Sequence, residues 1–205
     1  IPGTVGAAPI QNIGAYGVEL SEHFVSLQAV ERQSGESFYM NRQECEFGYR
    51  DSIFKNRFRE KFVITEVTLK LSSQAKMNFE YPTLNKALRQ LLGESLDDNI
   101  SPRLIKETVK KIRKEKLPDP KKLANVGSFF KNPEVNGDVL NTLLNKDEKM
   151  PHFETPSGLK KIPAAWLIDR CGFRGFRCGG ASVHLNHALV LVNQGNGTYR
   201  DLMKI

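Results

Sequence analysis

The sequence predicts an α+β fold in two modules. Three observations predict it. Strand patterns cluster at 22–71 and again at 181–193, with helical patterns between them. The best-marked helix, 102–116, runs into the proline-rich stop Leu117-Pro118-Asp119-Pro120, which reads as a domain boundary. No internal repeat or low-complexity tract runs through the chain.

Residues 1–19 come first and are dominated by small side chains: Gly3, Gly6, Ala7, Ala8, Gly14, Ala15 and Gly17. No hydrophobic period runs through them. Two readings fit equally, a backbone held close to a ligand or a buried, tightly turning connection. No GxGxxG stands between a strand and a helix, so the dinucleotide fingerprint does not apply. Residues 22–32, with Phe24, Val25, Leu27 and Val30, read as a strand. Ser34-Gly35 supplies a turn and 37–40 the returning strand of a hairpin. A further strand is expected at 62–71, with Val63, Thr65, Val67, Leu69 and Leu71 on one face. Between the strands lies Cys45-Glu46-Phe47-Gly48-Tyr49-Arg50-Asp51-Ser52, polar and aromatic at once.

An apolar helical run at 83–92 follows Tyr81-Pro82. The helix 102–116 takes Ser101 as its N-cap and Pro102 as its first residue. Leu104, Ile105, Val109 and Ile112 form its apolar stripe, and Lys106, Lys110, Lys111, Arg113 and Lys114 crowd the rest. Beyond the boundary, 138–145 is expected to be a short helix with Val139, Leu140, Leu143 and Leu144 on one side. Another, 163–170, starts near Pro163 and buries Trp166 and Leu167. Gly179-Gly180 leads into strands at 181–185 and 188–193, with Asn186-His187 as the turn.

Composition bounds the function. With 205 residues, 40% hydrophobic and 26% charged, the chain has the make-up of one large or two small globular domains. It does not resemble a disordered, collagen-like or disulfide-dense chain. No stretch approaches the ~20 apolar residues that span a bilayer. Cys45, Cys171 and Cys178 cannot all pair and form no CxxC, which suits a reducing, cytoplasmic compartment. A net charge of +7 asks for a polyanionic partner without choosing among nucleic acid, a membrane surface and a phosphorylated small molecule. The chain opens Ile1-Pro2-Gly3 without an initiator Met and stops at Lys204-Ile205, so both ends are expected to be cut.

Few residues carry chemistry by themselves. Arg50, next to an aromatic and Asp51-Ser52, can clamp a carboxylate or phosphate, though a surface or ion-paired arginine is the commoner case. Ser128, in Gly127-Ser128-Phe129-Phe130-Lys131-Asn132-Pro133, lacks a Gly-x-Ser-x-Gly elbow and reads on its own as a turn or cap residue. The basic helix has no aromatic interleaving, so a solvated face outweighs nucleic-acid binding. His184 with His187, and Cys171 with Cys178, lack zinc-ligand spacing.

Six segments, taken together and in order, resemble the UDP-N-acetylenolpyruvoylglucosamine reductases, flavoenzymes of bacterial peptidoglycan synthesis. They are residues 1–17, Phe47–Lys55, Lys116–Pro120, Gly127–Pro133, Trp166–Asp169 and Gly179–His184. The insertion around Tyr81 looks like the family's longer form, with a tyrosine loop over the substrate. The resemblance implies an FAD-binding domain, in its second part, over 1–117, with the tyrosine loop near 72–100. A small α+β substrate domain would occupy 118–205.

It also implies roles for single residues. Pro2, Gly3, Val5, Gly6, Ala7, Ile10, Gly14 and Tyr16 would line FAD. Arg50 matches the catalytic arginine and Ser128 the proton-donating serine. Tyr81, Arg113, Lys116, Asn132 and His187 would hold the UDP-sugar, chiefly around its diphosphate. In such an enzyme NADPH reduces the flavin, and substrate then uses the same pocket. Hydride passes from flavin N5 to the terminal enolpyruvyl carbon while the arginine stabilises charge developing on the carboxylate. One such donor is typically worth ~3 kcal/mol. The serine protonates the neighbouring carbon.

The chain departs from the family in four places. The upstream half of the FAD domain and the C-terminal segment with a catalytic glutamate have no counterpart here. His187 stands where glutamine is expected, and Phe153 where tyrosine is common. The isolated chain is therefore expected to be weakly active or inactive, with no nucleic-acid or membrane partner; its oligomeric state is left open, a monomer being slightly favoured. The competing readings are a basic nucleic-acid module built on 102–116 and a non-catalytic UDP-sugar binder. Retention of Arg50 and Ser128 speaks against the second.

Overall fold

A computed structural model describes residues 3–74, 77–93 and 96–205, apart from the side chains of 97 and 98. Pro2 lies outside the described residues. The chain forms two compact units, 1–109 and 110–205.

The first unit begins with a 3-10 turn, Val5–Gln11, followed by the minimal hairpin β1 (Gly14–Ala15) and β2 (Val18–Glu19). Tyr16 and Gly17, at φ 54° and 83°, form its tip. Positive φ at both central residues is what a tight two-residue hairpin turn requires. The main sheet is antiparallel in the order β4-β3-β5, from β3 (Phe24–Glu31), β4 (Ser37–Asn41) and β5 (Phe62–Leu69). Its core gathers Phe24, Leu27, Ala29, Met40, Cys45, Ile53 and Phe54. Burial pushes the Cys45 thiol up to about 12, so it serves as a small apolar side chain.

The expected inward face of β5 is corrected. Phe62, Ile64 and Val67 pack on the core, whereas Val63 and Thr65 face solvent. Pairing steps from Gln28–Glu66 to Ala29–Ile64, leaving Thr65 as an extra residue. Such a bulge inverts the alternation on either side of it. Strict period-two reading cannot survive that insertion.

Helices α1 (Pro82–Leu92), α2 (Leu96–Asn99) and α3 (Pro102–Lys116) follow, and the unit boundary falls inside α3. Ser101 Oγ accepts from the Leu104 amide at 3.2 Å, so the expected cap forms. Thr108 joins the stripe and is buried, its hydroxyl without a hydrogen-bond partner among the described residues, a position the apolar pattern does not reveal.

The second unit carries a four-stranded antiparallel sheet in the order β10-β11-β12-β6. Its strands are β6 (Asn125–Ser128), β10 (Arg177–Cys178), β11 (Ala181–His184) and β12 (His187–Asn193). A smaller sheet has the order β7-β9-β8, from β7 (Glu134–Val135), β8 (Phe153–Glu154) and β9 (Lys160–Lys161). Helices α4 (Gly137–Leu144), α5 (Ala164–Arg170) and α6 (Tyr199–Met203) complete it. Central β12 is buried from Ala188 to Val192, which explains its unbroken apolar run.

Three expectations are corrected in this unit. The hairpin turn is Leu185-Asn186, and His187 opens β12 opposite His184. Val139 is exposed, leaving Leu140 as the buried residue of α4. Trp166 and Leu167 are partly buried against Leu140, Met150 and Ile162, while Ala164 is the buried residue of α5.

Candidate active site

In the first unit the glycine-rich segment and the Arg50 turn are built as one object. Gly48 and Asp51 exchange backbone hydrogen bonds of 3.1 and 3.2 Å across a tight turn. Arg50 sits in that turn at φ 52°. Left-handed backbone costs a non-glycine residue roughly 1–2 kcal/mol, so the surroundings must hold it there. They do so at both ends. Lys55 Nζ donates to the Arg50 carbonyl at 2.9 Å, and buried Ser52 Oγ donates to the Ile10 carbonyl at 2.7 Å.

The Arg50 guanidinium reaches back into the glycine-rich segment. Nη2 donates to the Gly14 carbonyl at 2.6 Å, and Nη1 donates to the Asn12 carbonyl at 3.3 Å and to Glu19 Oε1 at 2.9 Å. Among the described residues, three bonds to the chain leave two of the five N–H groups of a guanidinium for another partner. The side chain remains 26% exposed and lies over the Tyr49 ring.

The glycines divide by purpose. A Cβ on Gly14 would meet the Val18 carbonyl oxygen at 2.6 Å and Arg50 Nη1 and Glu19 Cγ at 3.0 Å each. A Cβ on Gly6 would lie 3.0 Å from the Ile64 carbonyl oxygen. Both are small because the chain packs there. Gly3, at φ 119°, has no atom of the described residues beyond its chain neighbours within 4 Å of its Cβ position. Thr4, Val5 and Ala7 are exposed, Val5 by 63%, whereas Ile10 packs against the core. Tyr16 meets the Tyr81 ring edge-on at 5.4 Å, and Asn78 Nδ2 donates to the Gly17 carbonyl at 3.4 Å.

In the second unit Ser128 closes β6 opposite Val190. Gly127, at φ 67°, and a register shift there form a bulge that sets the direction of the following residue. Asn125 Oδ1 accepts from the Gly127 amide at 3.0 Å. Ser128 is exposed, and its hydroxyl makes no hydrogen bond among the described residues. Asn132 Oδ1 accepts from the Ala164 amide at 2.9 Å, satisfying an N-terminal donor of α5.

Half-buried His187 lies in a cationic corner. Its burial first, then the charges of Lys116, His184 and Arg174, hold its pKa below the ordinary 6.5, against an opposing pull from Asp169. Arg174 pairs with Asp169, whose carboxyl is held low chiefly by that hydrogen bond. The imidazole Nδ1 accepts from the Leu189 amide at 3.3 Å. Arg113 is half-buried and Lys116 exposed at the end of α3.

The second unit thus brings Lys116 and His187 within electrostatic reach, and the first joins Gly14 to Arg50 and Tyr16 to Tyr81. Sequence reading missed Asn12 and Glu19. Nothing in their local pattern marks them, because their partners are Gly48 and Arg50, some thirty residues on. No described group of His, Cys, Asp and Glu could hold a metal ion, and no described helix is long and apolar enough to cross a membrane.

A family model described as UDP-N-acetylenolpyruvoylglucosamine reductase, C-terminal domain, matches residues 119–205. The UDP-N-acetylenolpyruvoylglucosamine reductase of Cupriavidus pinatubonensis is 44% identical over 205 residues, all of this chain and 59% of that protein. That of Amoebophilus asiaticus is 43% identical over the same span and share. The chain thus spans about three fifths of the length of these curated relatives. The crystal structure of UDP-N-acetylenolpyruvylglucosamine reductase from Thermus caldophilus superposes with a TM-score of 0.60 at 23% identity. It covers the whole chain and 55% of that structure, and shows a shared fold. Every residue of the chain thus aligns with reductases of one kind, and residues 119–205 match the C-terminal domain of UDP-N-acetylenolpyruvoylglucosamine reductase.

Proposed function

We propose that the chain serves the NADPH-dependent, FAD-mediated reduction of UDP-N-acetylglucosamine enolpyruvate to UDP-N-acetylmuramate in the bacterial cytoplasm. The observation that carries this reading is Arg50: a guanidinium braced by the glycine-rich segment with two N–H groups unspent.

Residues 3–7 fit a bound FAD. They offer uncovered backbone, an open Cβ position at Gly3 and the exposed apolar side chain of Val5, surfaces against which a flat ring and phosphates can lie. Gly3, Val5, Gly6 and Ala7 would hold the cofactor most directly, with Pro2, Ile10, Gly14 and Tyr16 beside them. FAD, when bound, supplies to the enolpyruvyl double bond the hydride received from NADPH.

The chain's own residues bind and polarise. The free N–H groups of Arg50 would grip the substrate carboxylate and stabilise charge that grows there during reduction. Because the guanidinium is already braced, little reorganisation is needed as that charge appears. Ser128, with an unspent hydroxyl, would give its proton to the carbon bearing the carboxylate. Lys116, Arg113, His187 and Asn132, with Tyr81, would hold the UDP-sugar, the cations matching its diphosphate. That use of basic residues accounts for part of the +7 charge without nucleic acid.

The test separates the two half-reactions in the FAD-loaded full-length protein. Arg50→Ala and Ser128→Ala should each slow reoxidation of the reduced flavin by substrate, Arg50→Ala by ~10²–10³. Flavin reduction by NADPH should change far less. Equal damage to both halves would remove Arg50 from the role given to it.

A further inference from the structure

We propose that Glu19 is the positioning residue for Arg50, and that Asn12 completes the brace. The inference rests on the reading of Arg50 above and concerns how its guanidinium is aimed.

Glu19 uses both carboxylate oxygens. Oε1 accepts from Arg50 Nη1 and Oε2 from Asn12 Nδ2, each at 2.9 Å. Asn12 is 1% exposed and its amide is fully committed. Besides Glu19, its Nδ2 donates to the Gly48 carbonyl at 3.0 Å, and its Oδ1 accepts from the Ser21 amide at 2.9 Å. Its own carbonyl takes the second bond from Arg50 Nη1. The ring Arg50–Glu19–Asn12–Gly48 therefore joins the arginine's turn to the glycine-rich segment, through two side-chain pairs and the Gly48 carbonyl. The Glu19 and Asn12 acceptors together occupy both hydrogens of Nη1, which fixes rotation of the guanidinium plane.

Magnitudes separate aim from stability. Glu19 is 32% exposed and Arg50 26%, and ion pairs so placed add little to folding. A displacement near 1 Å in a group that must meet a reacting substrate costs a rate on the order of 10²-fold. Loss of the Glu19 carboxylate should thus be felt in the chemistry far more than in the fold.

The experiment is a double-mutant cycle in the FAD-loaded full-length protein, read as reoxidation of reduced flavin by substrate. Glu19→Ala is expected to slow reoxidation by ~10–100-fold, mainly in kcat, with a modest fall in thermal midpoint from the buried Asn12 donor it leaves unpaired, while flavin reduction by NADPH stays near the parent. Added to Arg50→Ala, it should slow reoxidation no further, because Glu19 acts through Arg50. Guanidinium ion should restore part of the Arg50→Ala rate when Glu19 is present and none of it in the double variant. Should Glu19→Ala fail to fold, Glu19→Gln is read the same way; it keeps the volume but can accept from only one of Arg50 and Asn12. A parent-like rate in the Glu19 variant, or a loss that adds to that of Arg50→Ala, overturns the inference. A parent-like rate in Arg50→Ala instead overturns the underlying role of Arg50.

Discussion

Replacing Gly14 by alanine tests whether the glycine-rich segment is small for the sake of Arg50. The added methyl would stand 2.6 Å from the Val18 carbonyl oxygen and 3.0 Å from Arg50 Nη1 and Glu19 Cγ. Backbone cannot swing aside as a side chain can, so the β1–β2 hairpin must open by about 0.4 Å before the methyl reaches even 3.0 Å. Gly14 pairs with Glu19 across that hairpin, and its carbonyl accepts from Arg50 Nη2. Opening it therefore moves two of the three anchors of the guanidinium. Overpacking of this kind costs about 1–3 kcal/mol, or a fall in Tm of ~3–10 °C for a chain of this size. The shift in aim should also slow flavin reoxidation by substrate at least tenfold. Calorimetry and stopped-flow flavin absorbance read the two effects on the same preparation. Parent values of both Tm and reoxidation rate would refute the packing argument.

Two further outcomes are expected. His187 has its pKa lowered by burial and by the charges of Lys116, His184 and Arg174, so below pH 6.5 the unfolded chain binds a proton that the folded chain resists. Its contribution to stability is complete above pH 6.5 and is lost as pH falls through the folded-state pKa. His187→Gln should flatten the dependence of Tm on pH on the acid side, and an imidazole pKa of 6.5 or more by NMR would contradict this. Asn132→Ala should cost about 1 kcal/mol through the acceptor lost to the Ala164 amide at the start of α5, as well as weaken UDP-sugar binding. A denaturation midpoint equal to the parent's would show that Ala164 finds another acceptor.

Much of the fold was legible because it is local. Ser101 and Pro102 announce α3, Ser34-Gly35 announces the β3–β4 hairpin, and the apolar run to Val192 announces a strand covered on both faces. Errors arose where one residue is added to a regular pattern or a turn lies one residue earlier than its composition suggests. Thr65 inverts the inward face of β5, and the two-residue turn Leu185-Asn186 hands His187 to the strand. Neither event leaves a compositional mark. The candidate site was legible through the resemblance of six short segments, not through periodicity, which treated Arg50 as an ordinary surface arginine. Asn12 and Glu19 stayed hidden for a different reason: a polar residue's value as a brace is decided by what folds against it.

The way Arg50 is held also limits what could replace it. Its guanidinium divides labour among separate nitrogens, with one part of the fork tied to the chain and the rest left to work. Lysine carries the same charge, but its three donors share a single atom. An ammonium seated among Glu19 and the Asn12 and Gly14 carbonyls would be consumed by its own supports; one reaching outward would lose them. If Arg50 serves as proposed, position 50 requires a cation that can be anchored and active at once, and charge alone does not meet it.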